Sequence, residues 1–303
     1  MGKKMQNAEV RMQNGGSGEG EGRRLARVFP RRVPAGTPTD ELAFVGRPPL
    51  WAEADEVHVS VAFSWDLAEA ERLARDWGHV TRNVRIGGPG TGERSGEFVP
   101  GRYLKDGYTI TSRGCPNNCW FCDAWKREGH EVRELPVRDG WDVLDSNLLA
   151  CSEGHVRKVF AMLERVKRER RKRVLFTGGL EAYRLRRWHV EGLRRLRPQR
   201  MFFAYDTPDD YAPLVAAGRM LREAGWTVRS RTACCYVLIG FPWDTFARAE
   251  ERLVDTVRAG FWPMAMLYRD RKGTEPDPAW VTFRVPWTRA AKVQRKLAEL
   301  GVL

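Results

Sequence analysis

An α/β fold built on a parallel sheet is what this 303-residue sequence predicts. Three observations carry the prediction. From about residue 105 onward, short apolar runs alternate with amphipathic helical stretches, as strand–helix repeats do. The apolar runs are near-continuous, which suits strands covered on both faces. Glycines follow several of the helical stretches and stop them. Strands separated by helices are joined by right-handed crossovers and lie parallel.

The elements follow in order. Residues 1–40 hold a glycine-rich stretch over 15–22, several charges, and Pro30, Pro34 and Pro38, with no apolar period. A disordered leader is expected there. Residues 41–104 form a small α/β unit: 57–63 alternates like a strand, Ser64 offers an N-cap and 68–77 reads as a helix. Residues 84–86 make a second strand that ends in the turn Gly87-Gly88-Pro89-Gly90. The main body spans 105–303. An alternating run over 108–111 opens it. Val156, Val159, Phe160, Leu163 and Val166 then recur at helical spacing. Next come a strand over 173–177, a helix over 184–196, a strand over 201–205 and a helix over 208–224 before Gly225. A hydrophobic strand over 234–240 precedes a helix over 245–259, with Phe246, Leu253 and Val257 on one face and Gly260 as its stop. A strand over 263–268 and a closing helix over 288–300 complete five or six strand–helix units.

Composition narrows the classes. No apolar run approaches the ~20 residues that a membrane helix needs, and the first residues, Met-Gly-Lys-Lys-Met-Gln, carry no apolar signal core. A cytoplasmic protein is expected, with its six cysteines serving metal or catalytic chemistry rather than disulfides. The net charge is +13, and 42 of the 52 basic residues are arginine. Basic density peaks over 165–173 and 184–200. Such runs are usually solvated helix faces, but they leave nucleic acid open as a partner.

The residues with the most chemistry are Cys115-Pro-Asn-Asn-Cys119-Trp-Phe-Cys122, spaced C-x3-C-x2-C just after Gly114. Three thiolates so close together can cradle a metal cluster. A [4Fe–4S] cube takes four cysteine ligands when saturated, so three leave one iron open, as a catalytic metal site keeps one position free. Cys115, Cys119, Cys122 and His130 would instead make a Cys3His zinc site, giving the alternative of a zinc-binding nucleic-acid module. Buried unpaired thiols are the plain third reading.

The loop resembles the cysteine motif of the radical S-adenosylmethionine (radical SAM) superfamily, and the resemblance covers about residues 105–285. It implies a partial (β/α)6 TIM-type barrel. It also implies that Cys115, Cys119 and Cys122 ligate a [4Fe–4S] cluster whose open iron takes the amino and carboxylate groups of S-adenosylmethionine. One electron would then cleave the sulfonium to methionine and a 5′-deoxyadenosyl radical, which abstracts hydrogen from a substrate. The enzyme would need a low-potential electron donor of flavodoxin or ferredoxin type and a small-molecule or peptide substrate. Residues 41–104 resemble part of the cobalamin-binding domain that precedes many such cores, but they are short and lack Asp-x-His-x-x-Gly, so cobalamin is not expected.

Ligands of parallel α/β folds sit beyond the carboxyl ends of the strands, and the remaining motifs fall at such ends. The second strand leads into Phe176-Thr-Gly-Gly-Leu-Glu181, similar to the family's Gly-Gly-Glu, with Leu180 inserted. Gly178, Gly179 and Glu181 would meet the amino group of the methionine moiety. At the end of the next strand, Tyr205 or Asp206 would reach the ribose, while Thr207-Pro208-Asp209 is equally a good helix start. Tyr236 to Thr245 resembles the family's late strand, packed on adenine with Gly240 giving the ring room. Phe121 is expected against the adenine, and residues 266–270 form another pocket wall. Cys151, Cys234 and Cys235 read as packed thiols. Trp125, Trp141, Trp188 and Trp243 read as core or pocket rim.

Overall fold

The computed structural model describes residues 23–302, which divide into two compact units meeting at Gly96 and Glu97. The part of the expected leader over 1–22 lies outside the described residues.

In the amino-terminal unit, β1 (Leu25–Phe29) is flanked by β2 (Ala43–Val45) and β3 (Glu56–Ser60), and β4 (Val84–Gly87) adds to β3. All three pairings are parallel, in the order β2-β1-β3-β4. Residues 25–40 are therefore not leader: β1 lies inside the sheet. Its five residues are too few to show a period, and Arg27 breaks the apolar pattern, but Asp40 pairs with that guanidinium. The helix α1 (Leu67–Trp77) buries Ala70, Leu73 and Trp77 against Val57, Val59 and Val61. Ser64 does not cap it. It opens a 3-10 turn over Ser64–Asp66, and the helix begins after Asp66 with no side-chain cap.

The second unit carries a six-stranded parallel sheet, with its strands side by side in chain order. Its members are β5 (Tyr108–Thr109), then, after the short antiparallel pair β6 (Ser112–Arg113) and α2 (Ala124–Glu128) with β7 (Arg133–Glu134), β8 (Asp142–Val143). The helix α3 (Glu153–Arg170) leads to β9 (Leu175–Phe176), and α4 (Arg187–Leu196) leads to β10 (Arg200–Ala204). From there α5 (Tyr211–Glu223), β11 (Ala233–Ile239), α6 (Phe246–Ala259) and β12 (Trp262–Leu267) continue the repeat, and α7 (Pro278–Arg284) and α8 (Ala290–Glu299) close it. A sheet that grows strand by strand in one direction, each strand parallel to the last, has the topology of an open (β/α)6 barrel.

The apolar faces of α3 to α6 and α8 meet the sheet in one core. It contains Phe160, Leu163, Leu193, Leu214, Leu253 and Leu297. Cys234 and Cys235 are part of it, as packed thiols should be, whereas Cys151 is only half-buried. β8 is absent from the sequence reading because Asp142 and Asp145 break up its short apolar run. The Gly-Gly-Leu-Glu motif consequently follows the third strand of the sheet, not the second. The helix α7 also went unread; Asp277 caps it by accepting from the Ala279 N–H at 2.8 Å. The short elements β2, β6, α2 and β7 went unread as well; the elements that were read fall within a few residues of expectation, and Thr245 caps α6 through the Arg248 N–H.

Candidate metal centre

The three cysteines lie on an excursion between β6 and β7, whose antiparallel pairing of Ser112 with Glu134 and Arg113 with Arg133 fastens its base. Gly114 turns the chain at φ +88°. A Cβ at Gly114 would lie 2.1 Å from the Glu131 carbonyl oxygen, so only glycine fits. Inside the excursion, Gly129 O accepts from the Cys115 N–H at 3.1 Å, and Cys119 O accepts from both the Cys122 N–H and Trp125 Nε1. Glu128 is buried at the base between Arg127 Nε at 3.0 Å and Arg133 Nη2 at 2.8 Å. Backbone geometry thus holds the three half-buried sulfurs, with no disulfide between them. Burial pushes the Cys115 thiol up, and pushes Cys119 up to about 11. Neighbouring thiols and the carboxylates of Asp206 and Asp210 push Cys119 the same way.

Beneath the loop runs a buried polar network. Asp145, just past β8, accepts from Thr111 N at 2.6 Å, Thr111 Oγ1 at 2.6 Å and Ser112 Oγ at 2.8 Å. Burial raises the Asp145 carboxyl, and these donors oppose the rise. His155 Nε2 meets Thr111 Oγ1 at 3.1 Å, while Glu134 accepts from Ser152 N at 2.6 Å. Asp145, Cys151 and His155 bring their ligand atoms within 4.8 Å of one another, but Asp145 and His155 already have hydrogen-bond partners, as buried polar groups need. This network ties the strand before the cysteines to the end of β8.

From the same turn Asn147 reaches the loop. Its Nδ2 donates to Glu181 Oε2 at 2.7 Å and lies 3.7 Å from Cys115 Sγ. Glu181 also accepts from Arg184 Nε at 2.6 Å. The Asn147 side-chain oxygen is buried and, among the described residues, has no hydrogen-bond partner. An unpaired buried carbonyl costs about 1–3 kcal/mol, so this oxygen is an acceptor free to take a donor. Gly178 and Gly179 make the approach feasible. A Cβ on Gly178 would lie 2.3 Å from Asp145 O, and Gly179 adopts φ +95°. The inserted Leu180 is absorbed by the core, which leaves Glu181 beside Asn147 on the cysteine side.

The later strand ends separate. Tyr205 is buried in the core, its ring 5.5 Å from Tyr211. Asp206 accepts from Leu238 N at 2.8 Å, and burial raises it to about 7. Thr207 and Asp210 make the expected helix start through a reciprocal capping box. At the end of β11, Gly240 has φ +76° and donates to Asp244 Oδ2, which Arg252 pairs at 2.9 Å. Against Gly240, where the sequence reading expects room for adenine, Trp280 of α7 lies 3.1 Å from where a Cβ would stand.

Phe121 sits edge-on to Trp120, whose ring also meets Phe241, Trp243 and Tyr268 at 4.7–5.6 Å. Trp120 thereby joins the excursion after the first strand to the ends of the fifth and sixth. Trp243 belongs to this cluster and is exposed. Trp141 and Trp188 pack on the core. Trp125 stacks on His130 with centroids 4.8 Å apart.

The sequence reading missed Asp145, Asn147 and Trp120. The available signal was the polar triplet Asp145-Ser146-Asn147 interrupting an apolar run, and a tryptophan within the cysteine spacing.

No protein-family model and no curated protein matches the chain. Among solved structures, the chain is similar to the radical S-adenosylmethionine methyltransferase TsrM from Kitasatospora setae, solved with cobalamin and a [4Fe–4S] cluster bound. The TM-score is 0.57 at 13% identity, over 84% of this chain and 80% of that one. The two share a fold.

Proposed function

We propose that this protein is a radical SAM enzyme, with Cys115, Cys119 and Cys122 as ligands of a [4Fe–4S] cluster. The observation that carries the reading is the trio of half-buried sulfurs on a backbone-fixed loop at the carboxyl end of a six-stranded parallel sheet. The donor set fits: thiolates are what such clusters take, and the Asn147 N–H near Cys115 is a suitable outer hydrogen bond. Bound there, the cluster would supply one electron to the sulfonium of S-adenosylmethionine, releasing methionine and a 5′-deoxyadenosyl radical.

The chain's own residues do the rest. Glu181 and the orphan oxygen of Asn147 accept hydrogen bonds from the amino group of the methionine moiety, which supplies the missing donor. The Gly178–Gly179 turn lets that strand end approach. Asp206, at the end of β10, holds a ribose hydroxyl. The rings of Trp120, Phe121 and Phe241 wall the mouth and keep water out. A low-potential electron donor and a small-molecule or peptide substrate complete the reaction.

Cobalamin enters as a second possibility for the amino-terminal unit. TsrM was solved with it, which weakens the expectation that it plays no part. The unit's order β2-β1-β3-β4 also has a switch point between β1 and β3, where such sheets bind ligands. Retention of added cobalamin on desalting would support this, and passage without it would remove it.

The test of the main reading is anaerobic reconstitution with S-adenosylmethionine and dithionite, followed by assay for 5′-deoxyadenosine. Replacing any of Cys115, Cys119 or Cys122 with Ala is expected to abolish product. A variant that cleaves at the parent rate would refute that cysteine's role, and a colourless zinc protein would favour the nucleic-acid module.

A further inference from the structure

Three residues other than glycine have positive φ among the described residues, and all three are arginine: Arg171 at +51°, Arg197 at +47° and Arg231 at +53°. Each sits in the turn that feeds one of three adjacent parallel strands, β9, β10 and β11. They therefore lie along the amino-terminal edge of the sheet, away from the carboxyl-end cysteine loop. A left-handed backbone is costly for a residue with a Cβ, and glycine is the usual occupant. The same chain uses glycine at the corresponding stops after α5, α6 and α8, at Gly225, Gly260 and Gly301.

Helix dipoles do not account for the exception. The last turn of α3 already carries Lys167, Arg168 and Arg170, so Arg171 adds like-charge repulsion. Arg231 follows a three-residue 3-10 turn, Val228–Ser230, which has almost no dipole to satisfy. All three arginines are exposed, and none pairs with an acid among the described residues. Between the ends of α3 and α4, an open groove of about 680 Å³ is lined by Lys167, Arg194, Arg195 and Arg197, with Glu191 as its one acid.

We infer that this edge is a binding surface for the phosphate backbone of nucleic acid. Guanidinium groups pair with phosphate oxygens bidentately. A protein partner would need an apolar centre at the interface, and none of the exposed large hydrophobic side chains falls in these three turns. Strain is kept at a position where a charge is required, as functional sites keep it. The inference is independent of the cysteine chemistry, and it holds for the zinc-free, cluster-free protein alike.

The test is fluorescence anisotropy with labelled mixed-sequence 20-nucleotide RNA and duplex DNA over a salt series, using the full chain and its Arg171→Gly/Arg197→Gly/Arg231→Gly variant. The parent should bind with a steep salt dependence. The triple variant should lower the slope of log K against log salt by roughly 2–3, about one for each lost phosphate contact. The Arg171→Gly/Arg197→Gly variant, which keeps the Arg231 guanidinium over the Trp262 ring, should melt at the parent's temperature or a few degrees higher, because glycine relieves the left-handed turns. The surface would be refuted by absence of binding at low salt, or by an unchanged slope in the triple variant. A lowered melting temperature in the double variant would refute the claim that charge, not packing, keeps these arginines. If polyglutamate of matched charge competes as well as nucleic acid does, the partner is an acidic protein and the assignment fails.

Discussion

Asn147 serves two neighbours with one amide. Its Nδ2 faces both Glu181 and Cys115 Sγ, which fixes the orientation of the group and leaves its buried oxygen without a partner among the described residues. Hydrogen bonds to cluster sulfurs stabilise the more negative, reduced state and so raise the potential. A net hydrogen bond is worth about 1 kcal/mol, equivalent to about 40 mV for a one-electron couple. Asn147→Leu keeps the volume and removes the donor, so the reconstituted cluster should titrate roughly 40 mV lower in a potentiometric EPR experiment. An unchanged potential would mean that the 3.7 Å approach is incidental. At this scale the sequence was informative wherever chemistry is carried by residue type: three cysteines and a glycine pair. Asn147 and Asp145 were illegible because their significance comes from a two-residue strand that places them.

Each element was read to the extent that it was long enough to repeat. The fourteen residues of α6 show their period in sequence and the seven of β11 form a near-continuous apolar run, and both are found. β1 and β8 are short, and one is interrupted by a charge whose partner, Asp40, lies in a distant turn. The helix α4 illustrates an element whose start depends on a titrating group. The Arg186 N–H donates to His189 Nδ1 at 3.0 Å, so the ring must be neutral there. Burial, aided by Arg186, lowers His189 to about 4. The unfolded imidazole takes up a proton near pH 6.5, whereas the folded one resists until about pH 4. This contribution is therefore fully present above pH 6.5 and is lost progressively as pH falls toward 4. Urea midpoints at pH 7.5 and pH 5 should show a smaller acid loss in His189→Asn than in the parent. Equal losses would mean that the ring is not held neutral.

Over the whole second unit, the cysteine excursion visits successive strand ends. It meets Asn147 after β8 and through that amide reaches Glu181 after β9, feels Asp206 after β10, and packs Trp120 on residues after β11 and β12. Contacts from a loop after the first strand to the ends of the last two accord with a sheet that curls, as an open barrel does. The alternation of strands and helices made the parallel sheet legible. Its curl was expected only through the resemblance carried by the cysteine loop, since the contacts between rings that accompany it are far apart in sequence. Among the described residues, no helix is long and apolar enough to cross a membrane.

The proposed chemistry requires that the three thiolates hold iron with one coordination position to spare. Iron and acid-labile sulfide measured on anaerobically reconstituted protein, with EPR of the reduced sample before and after adding S-adenosylmethionine, tests it most directly. The prediction is iron and sulfide at [4Fe–4S] stoichiometry and a signal that changes when S-adenosylmethionine binds. Zinc in place of iron, or a reduced cluster whose signal ignores S-adenosylmethionine, would contradict it.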